Sequence, residues 1–136
     1  MAQTILTMDQ KMVLDLVGEH SGIAKTFYLS GGTALAEFYL HHRYSDDLDF
    51  FTANEDFPQF ETEKFAQAIK KAVGANDITY RRLHDRRIFF FAKNKEELKV
   101  EFTYYPFSQI AEAQDIDGLK VDSLEDIAAN KLMALF

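Results

Sequence analysis

Residues 29–51, LSGGTALAEFYLHHRYSDDLDFF, contain the most informative pattern in the chain. Gly31 and Gly32 stand where a short apolar run gives way to an amphipathic segment, which predicts a strand that leads directly into a helix. Acidic and apolar residues then alternate over DDLDFFT, which predicts a second strand over residues 46–52. Strand, helix and strand in so short a span indicate a sheet with helices packed against it.

The spacing of apolar residues predicts further helices and strands on both sides of this stretch. The expected elements are helices over residues 8–20, 32–43 and 59–74, strands over 25–30, 46–52, 77–83, 86–94 and 97–105, and a final helix capped by Ser123. Short turns at His84-Asp85 and Asn94-Lys95 join the last three strands. We therefore expect an α+β fold, with a mixed β-sheet flanked by helices.

The composition limits the class of protein. The chain has 136 residues, 47% of them hydrophobic and 14% aromatic, which suits a single domain over residues 1–136 with a sizeable core. It has no Cys, no long apolar run and no basic-then-apolar start, so nothing in it indicates disulfides, a membrane span or export. We expect a cytoplasmic protein with no membrane partner.

The formal net charge of −7 argues against a protein that grips a nucleic acid along its whole length, because such proteins need a basic stripe. Basic residues nevertheless cluster around the expected turn at His84-Asp85, namely Arg81, Arg82, Arg86 and Arg87. This patch is either a local contact for a phosphate backbone or, as is commoner for a hairpin, a soluble edge of the sheet.

The turn Ser30-Gly31-Gly32-Thr33 has two interpretations. Free backbone N–H groups converge where a strand enters a helix, and the missing glycine side chains let a phosphate approach, so the turn is a candidate anion site. Alternatively, the glycines only make a tight turn that Ser30 or Thr33 caps. The chain contains no Gly-x-x-x-x-Gly-Lys pattern, which excludes a Walker loop.

Two carboxylates follow on one face of the next expected strand. Asp47 and Asp49 are two residues apart, so they point together, while Leu48 and Phe50 point into a core. Like charges side by side in a half-buried strand repel unless a cation, a proton or water relieves them. Asp46 faces the other way. We interpret the pair as a metal site; the alternative is a solvated edge strand.

A third carboxylate occurs in LKVEFTYY, where Lys99 and Glu101 share one face of a strand. Three convergent acids suit Mg²⁺, which prefers carboxylates, water and phosphate oxygens. The alternative for Lys99 and Glu101 is the solvent-exposed face of an antiparallel strand.

The last helix carries a lysine on its expected apolar stripe. Leu124, Ile127, Lys131 and Leu135 fall at helical spacing, so Lys131 is expected on the buried side. Such a lysine either extends its amine to the surface or is directed at a negative centre such as a triphosphate. The sequence stops without a helix-ending signal, as if it were cut inside this helix.

Four stretches in order, GGTALA, HRYSDDLDFF, LKVEF and VDSLEDIAANKLMAL, resemble the AbiEii/AbiGii-type nucleotidyltransferase toxin family, a branch of the DNA polymerase β-like nucleotidyltransferase superfamily. The resemblance covers about residues 25–136 and implies a nucleotidyltransferase-like sheet. The family's motif residues fall on Gly31, Gly32, Thr33, Arg43, Ser45, Asp47, Asp49, Lys99, Glu101 and Lys131. Family members continue into a helical C-terminal region that this sequence lacks.

The resemblance implies that the protein moves a nucleoside monophosphate from an NTP to an acceptor, such as RNA, tRNA or a protein, as the toxin of a toxin–antitoxin or phage-defence system. Expected partners are therefore an NTP, the acceptor and a cognate antitoxin. Asp47 and Asp49 would hold Mg²⁺, Glu101 would complete the metal site or help deprotonate the nucleophile, and Lys99 or Lys131 would offset phosphate charge. Ser30, Gly31, Gly32, Thr33, Arg43 and Ser45 are the expected nucleotide-binding residues.

Two alternatives stay open. The first is a domain of the same fold that binds nucleotide, metal or a partner without turnover. The second is a Mg²⁺-dependent nuclease, which would use the same acids but would not need the glycine turn.

Overall fold

The computed structural model describes residues 6–40, 47–107, 109–116 and 118–133. Its helices are α1 (Met8–Glu19), α2 (Ser21–Thr26), α3 (Gly31–Ala34), α4 (Gln59–Val73) and α5 (Leu124–Met133), and a π-helical segment, Leu35–Leu40, continues α3. Its strands are β1 (Tyr28–Ser30), β2 (Asp47–Thr52), β3 (Asp77–Leu83), β4 (Arg86–Lys93), β5 (Glu96–Tyr104), β6 (Gln114–Ile116) and β7 (Leu119–Val121).

The seven strands form one mixed sheet in the order β3-β4-β5-β2-β1-β7-β6. Strand β2 runs parallel to β5, and β1 runs parallel to β7, while the other neighbours are antiparallel. This arrangement confirms the predicted α+β class. The strands that carry the candidate acids, β2 and β5, lie side by side near the middle of the sheet.

One face of the sheet forms the hydrophobic core with α1 and α4. The ring of Phe102 on β5 is its centre, with ring centroids 5.1 to 6.2 Å from those of Phe27, Phe50, Phe65 and Phe89. Val13 and Val17 of α1 and Ile69 of α4 are fully buried in the same cluster. Each such side chain contributes about 1.5–3 kcal/mol when it leaves water. The core therefore fixes β2 and β5 from one side, and the opposite side of the sheet is called the free face.

Three of the predicted elements agree with the structure in detail. Helix α4 ends where Gly74 adopts a left-handed conformation, with φ 73°, and the hairpin turns place His84 and Asn94 at φ 53° and 55°. Asn tolerates this region better than most residues because its short polar side chain can bond locally. The predicted stop and both turns are confirmed.

Other predicted boundaries are wrong. Residues 25 and 26 belong to helix α2 and not to a strand, so β1 begins only at Tyr28. The helix predicted over 32–43 is a short α-turn followed by a π-helical segment, and its predicted end lies outside the described residues. The strands β6 and β7 were not predicted, because three-residue strands are too short for a period-two pattern to show.

Helix α5 begins at the predicted cap. Ser123 Oγ accepts from the backbone N–H of Asp126 at 3.1 Å, and its hydroxyl donates to the Asp126 carboxylate at 2.7 Å. Burial alone would raise the pKa of Asp126, but donation from Ile110 N, Ser123 Oγ and Ala111 N outweighs burial and lowers it.

We expect Ser123→Ala to lower the free energy of unfolding by about 1–2 kcal/mol in urea denaturation. An unchanged value would show that the cap contributes nothing.

Lys131 is exposed although Ile127, one turn earlier, is fully buried, so its predicted place on a buried stripe is wrong, and the exposure agrees with the alternative in which its amine extends to the surface. Among the residues that the structure describes, no helix is both long enough and apolar enough to cross a bilayer.

Candidate active site

The parallel pairing of β2 and β5 brings the predicted site residues together. Asp47 lies opposite Lys99 and Asp49 lies opposite Glu101. Between them, Leu48 is fully buried on the core side, so the alternation predicted from the sequence is confirmed. Paired residues on neighbouring strands are about 5 Å apart, so the three carboxylates and one amine share a small area of the free face.

Asp49 is the most perturbed carboxyl of this group. Burial raises its pKa to about 7, and a side-chain hydrogen bond with Glu101 and the charges of Glu101 and Asp47 add to that increase, while Lys99 opposes it. Asp49 lies opposite Glu101 and close to Asp47, so ionisation of its carboxyl is disfavoured unless a cation offsets the charge.

Two basic side chains contact Asp47 and Glu101 and partly offset their negative charge. Lys99 Nζ lies 3.5 Å from Asp47 Oδ2, and Arg86 Nε donates to Glu101 Oε1. Arg86 stands on β4 opposite Thr103 and reaches one residue pair along the face to Glu101. From the sequence, Arg86 was assigned only to a basic patch. Ile88 pairs with Glu101, and Arg86 lies two residues before Ile88 on the same face of β4. The register between β4 and β5 was therefore the signal that would have placed Arg86 beside Glu101.

The donor chemistry of the site suits a hard divalent cation, but the acids are not gathered around one point. Asp47, Asp49 and Glu101 offer only carboxylate oxygens, which Mg²⁺ prefers. Within the described ranges, no three His, Cys, Asp or Glu side chains stand close enough together to hold an ion. Lys99 contacts Asp47, and Arg86 contacts Glu101. An ion has to displace these contacts.

The glycine turn lies directly beside Asp49. Ser30 is paired with Asp49 across β1 and β2, and Gly31 follows with φ 75°, in the left-handed region. A Cβ on Gly31 would overlap the Asp49 carboxylate and would lie 3.1 Å from Asp49 Cβ. The positive φ thus falls on Gly31, whereas Gly32 is already helical. Gly31 is required for the close approach of the turn to the carboxylates.

The hydroxyl groups of the turn are used inside the protein. Ser30 and Thr33 are fully buried; Ser30 Oγ donates to Asp122 Oδ2 at 3.0 Å, and Thr33 Oγ1 donates to the backbone oxygen of Asp47. Ser30 does not cap α3 through its side chain. These two side chains hold the turn and β2 in position, so a phosphate contact from this turn falls to its backbone N–H groups.

Asp122 anchors the turn to the final helix and was missed by the sequence analysis. Its fully buried carboxylate accepts from Ser30, from Gln109 Nε2 at 3.1 Å and from Asn130 Nδ2 at 3.3 Å. Burial raises the pKa of Asp122, and these hydrogen bonds partly oppose it. Asp122 stands directly before the capped helix, which is the only sequence signal that pointed to it.

Of the remaining predicted site residues, only Lys131 lies in the part of the chain that the structure describes. Lys131 is exposed near the end of the described part of α5. Arg43 and Ser45, as well as Asp46, lie outside the described residues. The structure therefore joins Asp47, Asp49, Lys99, Glu101 and the turn 30–33, and it leaves the others as predictions.

A search of family models matches residues 15–136 to the model described as nucleotidyl transferase AbiEii toxin, type IV TA system. An uncharacterized protein of Aquifex aeolicus is 34% identical over 125 residues, which cover 84% of this chain and 52% of that protein. The crystal structure of JHP933 from Helicobacter pylori aligns with a TM-score of 0.68 at 26% identity, over 94% of this chain and 55% of that one.

A second Helicobacter pylori structure, described provisionally as a nucleotidyltransferase, also has a TM-score of 0.68. It is 22% identical and aligns with 91% of this chain and 55% of its own, so this likeness shows the fold. The chain spans about half the length of the relatives that it matches.

Proposed function

The chain belongs to the AbiEii nucleotidyl transferase toxin family, and on that premise we propose that it transfers a nucleoside monophosphate from an NTP to an acceptor in a Mg²⁺-dependent reaction. The acceptor is an RNA, such as a tRNA, and the protein is the toxin partner of a cognate antitoxin. The supporting observation is the convergence of Asp49, Glu101 and Gly31, because two carboxylates on paired strand residues lie against a turn that requires glycine.

In this proposal the carboxylates bind the metal ion, and the metal ion neutralises phosphate charge. Asp47, Asp49 and Glu101 would hold Mg²⁺, which supplies charge neutralisation for the triphosphate and the departing pyrophosphate. Glu101, opposite Asp49 on the neighbouring strand, is also placed to accept the proton of the attacking hydroxyl. Lys99 lies on the same face and turns from Asp47 to the phosphates.

The glycine turn positions the triphosphate. Backbone N–H groups of Gly31 and Gly32 are not capped by Ser30, and they lie beside Asp49. Oriented backbone N–H groups stabilise phosphate charge without reorganising during the reaction. Arg43, Ser45 and Lys131 are the remaining residues of the proposed nucleotide site.

A second candidate is a domain that binds nucleotide and metal without turnover. The specific observation in its favour is that two acids already have basic partners, Lys99 for Asp47 and Arg86 for Glu101. The site can therefore remain folded without an ion. Turnover requires both contacts to give way, and a binding protein does not need that rearrangement.

Incubation of the protein with bulk RNA, Mg²⁺ and each α-labelled NTP in turn separates these functions. A transferase puts label on the RNA, a nuclease shortens the RNA, and a binding domain does neither while still retaining NTP on a filter. We expect label transfer from one NTP, abolished by EDTA. RNA shortening without label would overturn the proposal.

The role of Lys131 is testable because its side chain is exposed. Lys131→Met should leave the melting temperature within about 1 °C, since exposed substitutions change stability little, and should raise KM for the NTP roughly tenfold by removing one phosphate contact. Lys120→Met, an exposed lysine on β7, is the matched control for charge. Equal KM values for wild type and Lys131→Met would remove Lys131 from the site.

A further inference from the structure

We propose that Arg81 and Arg86 form a phosphate-binding strip for the backbone of the acceptor RNA strand, on the free face of the β3–β4 hairpin. The inference rests on the proposed function and adds to it the path of the acceptor. It assigns a role to two of the four arginines that the sequence left open between a phosphate contact and a soluble edge.

The strand register divides the four arginines between the two faces of the sheet. Arg81 pairs with Ile88, and Ile88 pairs with Glu101, so Arg81 points to the free face that carries the acids. Arg86 reaches Glu101 directly and therefore points the same way. Arg81 and Arg86 together form a basic strip one to two strands from Glu101, or roughly 5–10 Å away.

The other two arginines point to the opposite face. Arg87 pairs with the core residue Phe102 and donates through Nη2 to the backbone oxygen of Phe57 at 2.9 Å. Arg82 lies opposite Arg87, and its Nε donates to the backbone oxygen of His84 at 3.4 Å. Burial lowers the pKa of Arg87, and the nearby Arg82 lowers it further, so this second pair is held in mutual repulsion. These contacts are structural.

The strip has free hydrogen-bond donors. Arg86 uses Nε on Glu101 and its side chain is 45% exposed, and Arg81 is exposed. Among the described residues, neither arginine shows a further hydrogen bond or ion pair. Guanidinium groups with free N–H donors bind phosphate oxygens in a bidentate manner. The strip therefore suits a phosphate on each arginine.

The topology identifies the ligand as the acceptor and not the NTP. The glycine turn follows β1, on one side of the acid strands β2 and β5, whereas the strip lies on β4 and β3, on the other side. The triphosphate and the acceptor must approach the reacting phosphorus from different sides for an in-line displacement. An NTP bound at the glycine turn leaves the strip free to bind the acceptor RNA strand, whose attacking end would reach Glu101.

The overall charge makes this strip selective. A protein with a net charge of −7 repels RNA over most of its surface, so a polyanion is held only where arginines converge. Because β3 is an edge strand, its arginines also keep the edge soluble. Edge protection predicts equal importance for adjacent arginines on both faces, whereas a strip on the free face predicts a difference between Arg81 and Arg82.

Adjacent residues with the same charge provide the test. Fluorescence anisotropy with a labelled single-stranded RNA of about twelve nucleotides, without NTP, compares wild type, Arg81→Gln and Arg82→Gln, all checked for equal melting temperatures. We expect Arg81→Gln to weaken binding about fivefold and to reduce the slope of log affinity against log salt by about 0.7. Arg82→Gln should leave both values unchanged.

Two results would overturn the strip. Equal losses of RNA affinity in Arg81→Gln and Arg82→Gln would indicate only a soluble edge. Unchanged RNA affinity in Arg81→Gln, with weakened binding of polyglutamate, would indicate an acidic protein partner. The label-transfer assay keeps the two proposals apart. If wild type transfers no label while Arg81→Gln still weakens RNA binding, the transferase function fails and the strip remains. In an active enzyme, Arg81→Gln should raise KM for RNA and leave KM for the NTP unchanged.

Discussion

Asp49→Asn is expected to abolish nucleotide transfer and, at the same time, to stabilise the metal-free protein at neutral pH. Asparagine keeps the shape of the side chain but removes a carboxylate from beside Glu101 and Asp47, so repulsion falls and ion binding is lost. We expect a loss of about 10³-fold in transfer rate and a gain of roughly 2–4 kcal/mol in the free energy of unfolding at pH 7.5 in EDTA.

The gain should depend on pH in a defined direction. Burial raises the pKa of Asp49 to about 7 in the folded protein, above the value of about 4 for an unfolded chain. Below pH 4 the group is protonated in both states and costs nothing. As the pH rises from 4 to 7 only the unfolded state releases its proton, so the wild type loses stability relative to Asp49→Asn across that window.

Asp47→Asn is the matched control for this effect. The Asp47 side chain is 43% exposed and paired with Lys99, so its removal relieves less repulsion and also breaks a contact. We expect loss of transfer with little change in melting temperature. A strong loss of stability in Asp49→Asn, with transfer retained, would show that the carboxylate is a structural group.

Gly31→Ala should be among the most damaging small substitutions in the chain. At φ 75° an L-residue is strained, and the added Cβ would overlap the Asp49 carboxylate. The strain and the collision together should cost about 2–4 kcal/mol in urea denaturation. NTP affinity should also fall, because the collision moves Asp49 away from the turn.

Gly74→Ala separates the two causes. Gly74 has nearly the same φ, 73°, but no atom lies within 4 Å of its added Cβ. It should cost only about 1–2 kcal/mol and leave NTP affinity unchanged. Equal costs for the two variants, with NTP affinity retained in Gly31→Ala, would show that Gly31 serves the turn alone.

Much of the centre could be predicted from the sequence because period-two alternation is a local property. Leu48 and Phe50 against Asp47 and Asp49 define two faces of β2 without any knowledge of its neighbours. The adjacency of β2 and β5 is different, because about fifty residues separate Asp47 from its partner Lys99, and no local pattern specifies that register. Alternation predicted that the acids share one side of the sheet, and the family resemblance named them as motif residues, but neither predicted this register.

The missed features depend on contacts between distant segments. Asp122 acts through Ser30, and Arg86 acts through Glu101; each needs the strand order before its role is visible. The prediction for Lys131 was wrong for another reason: helical spacing placed it on one stripe with Leu124 and Ile127, but of these three residues only Ile127 is buried. A period shows which residues share a face, but not how far the neighbouring structure covers it.

The central claim is that Asp47, Asp49 and Glu101 hold the metal of a bound nucleotide, and electron paramagnetic resonance of Mn²⁺ tests it without requiring an acceptor. Free Mn²⁺ is titrated with protein and a non-hydrolysable NTP analogue. The titration is done for wild type and for the triple variant Asp47→Asn, Asp49→Asn and Glu101→Gln. The account predicts nucleotide-dependent loss of the free Mn²⁺ signal in wild type and none beyond a nucleotide-only control in the variant. Equal Mn²⁺ binding by both proteins would contradict it.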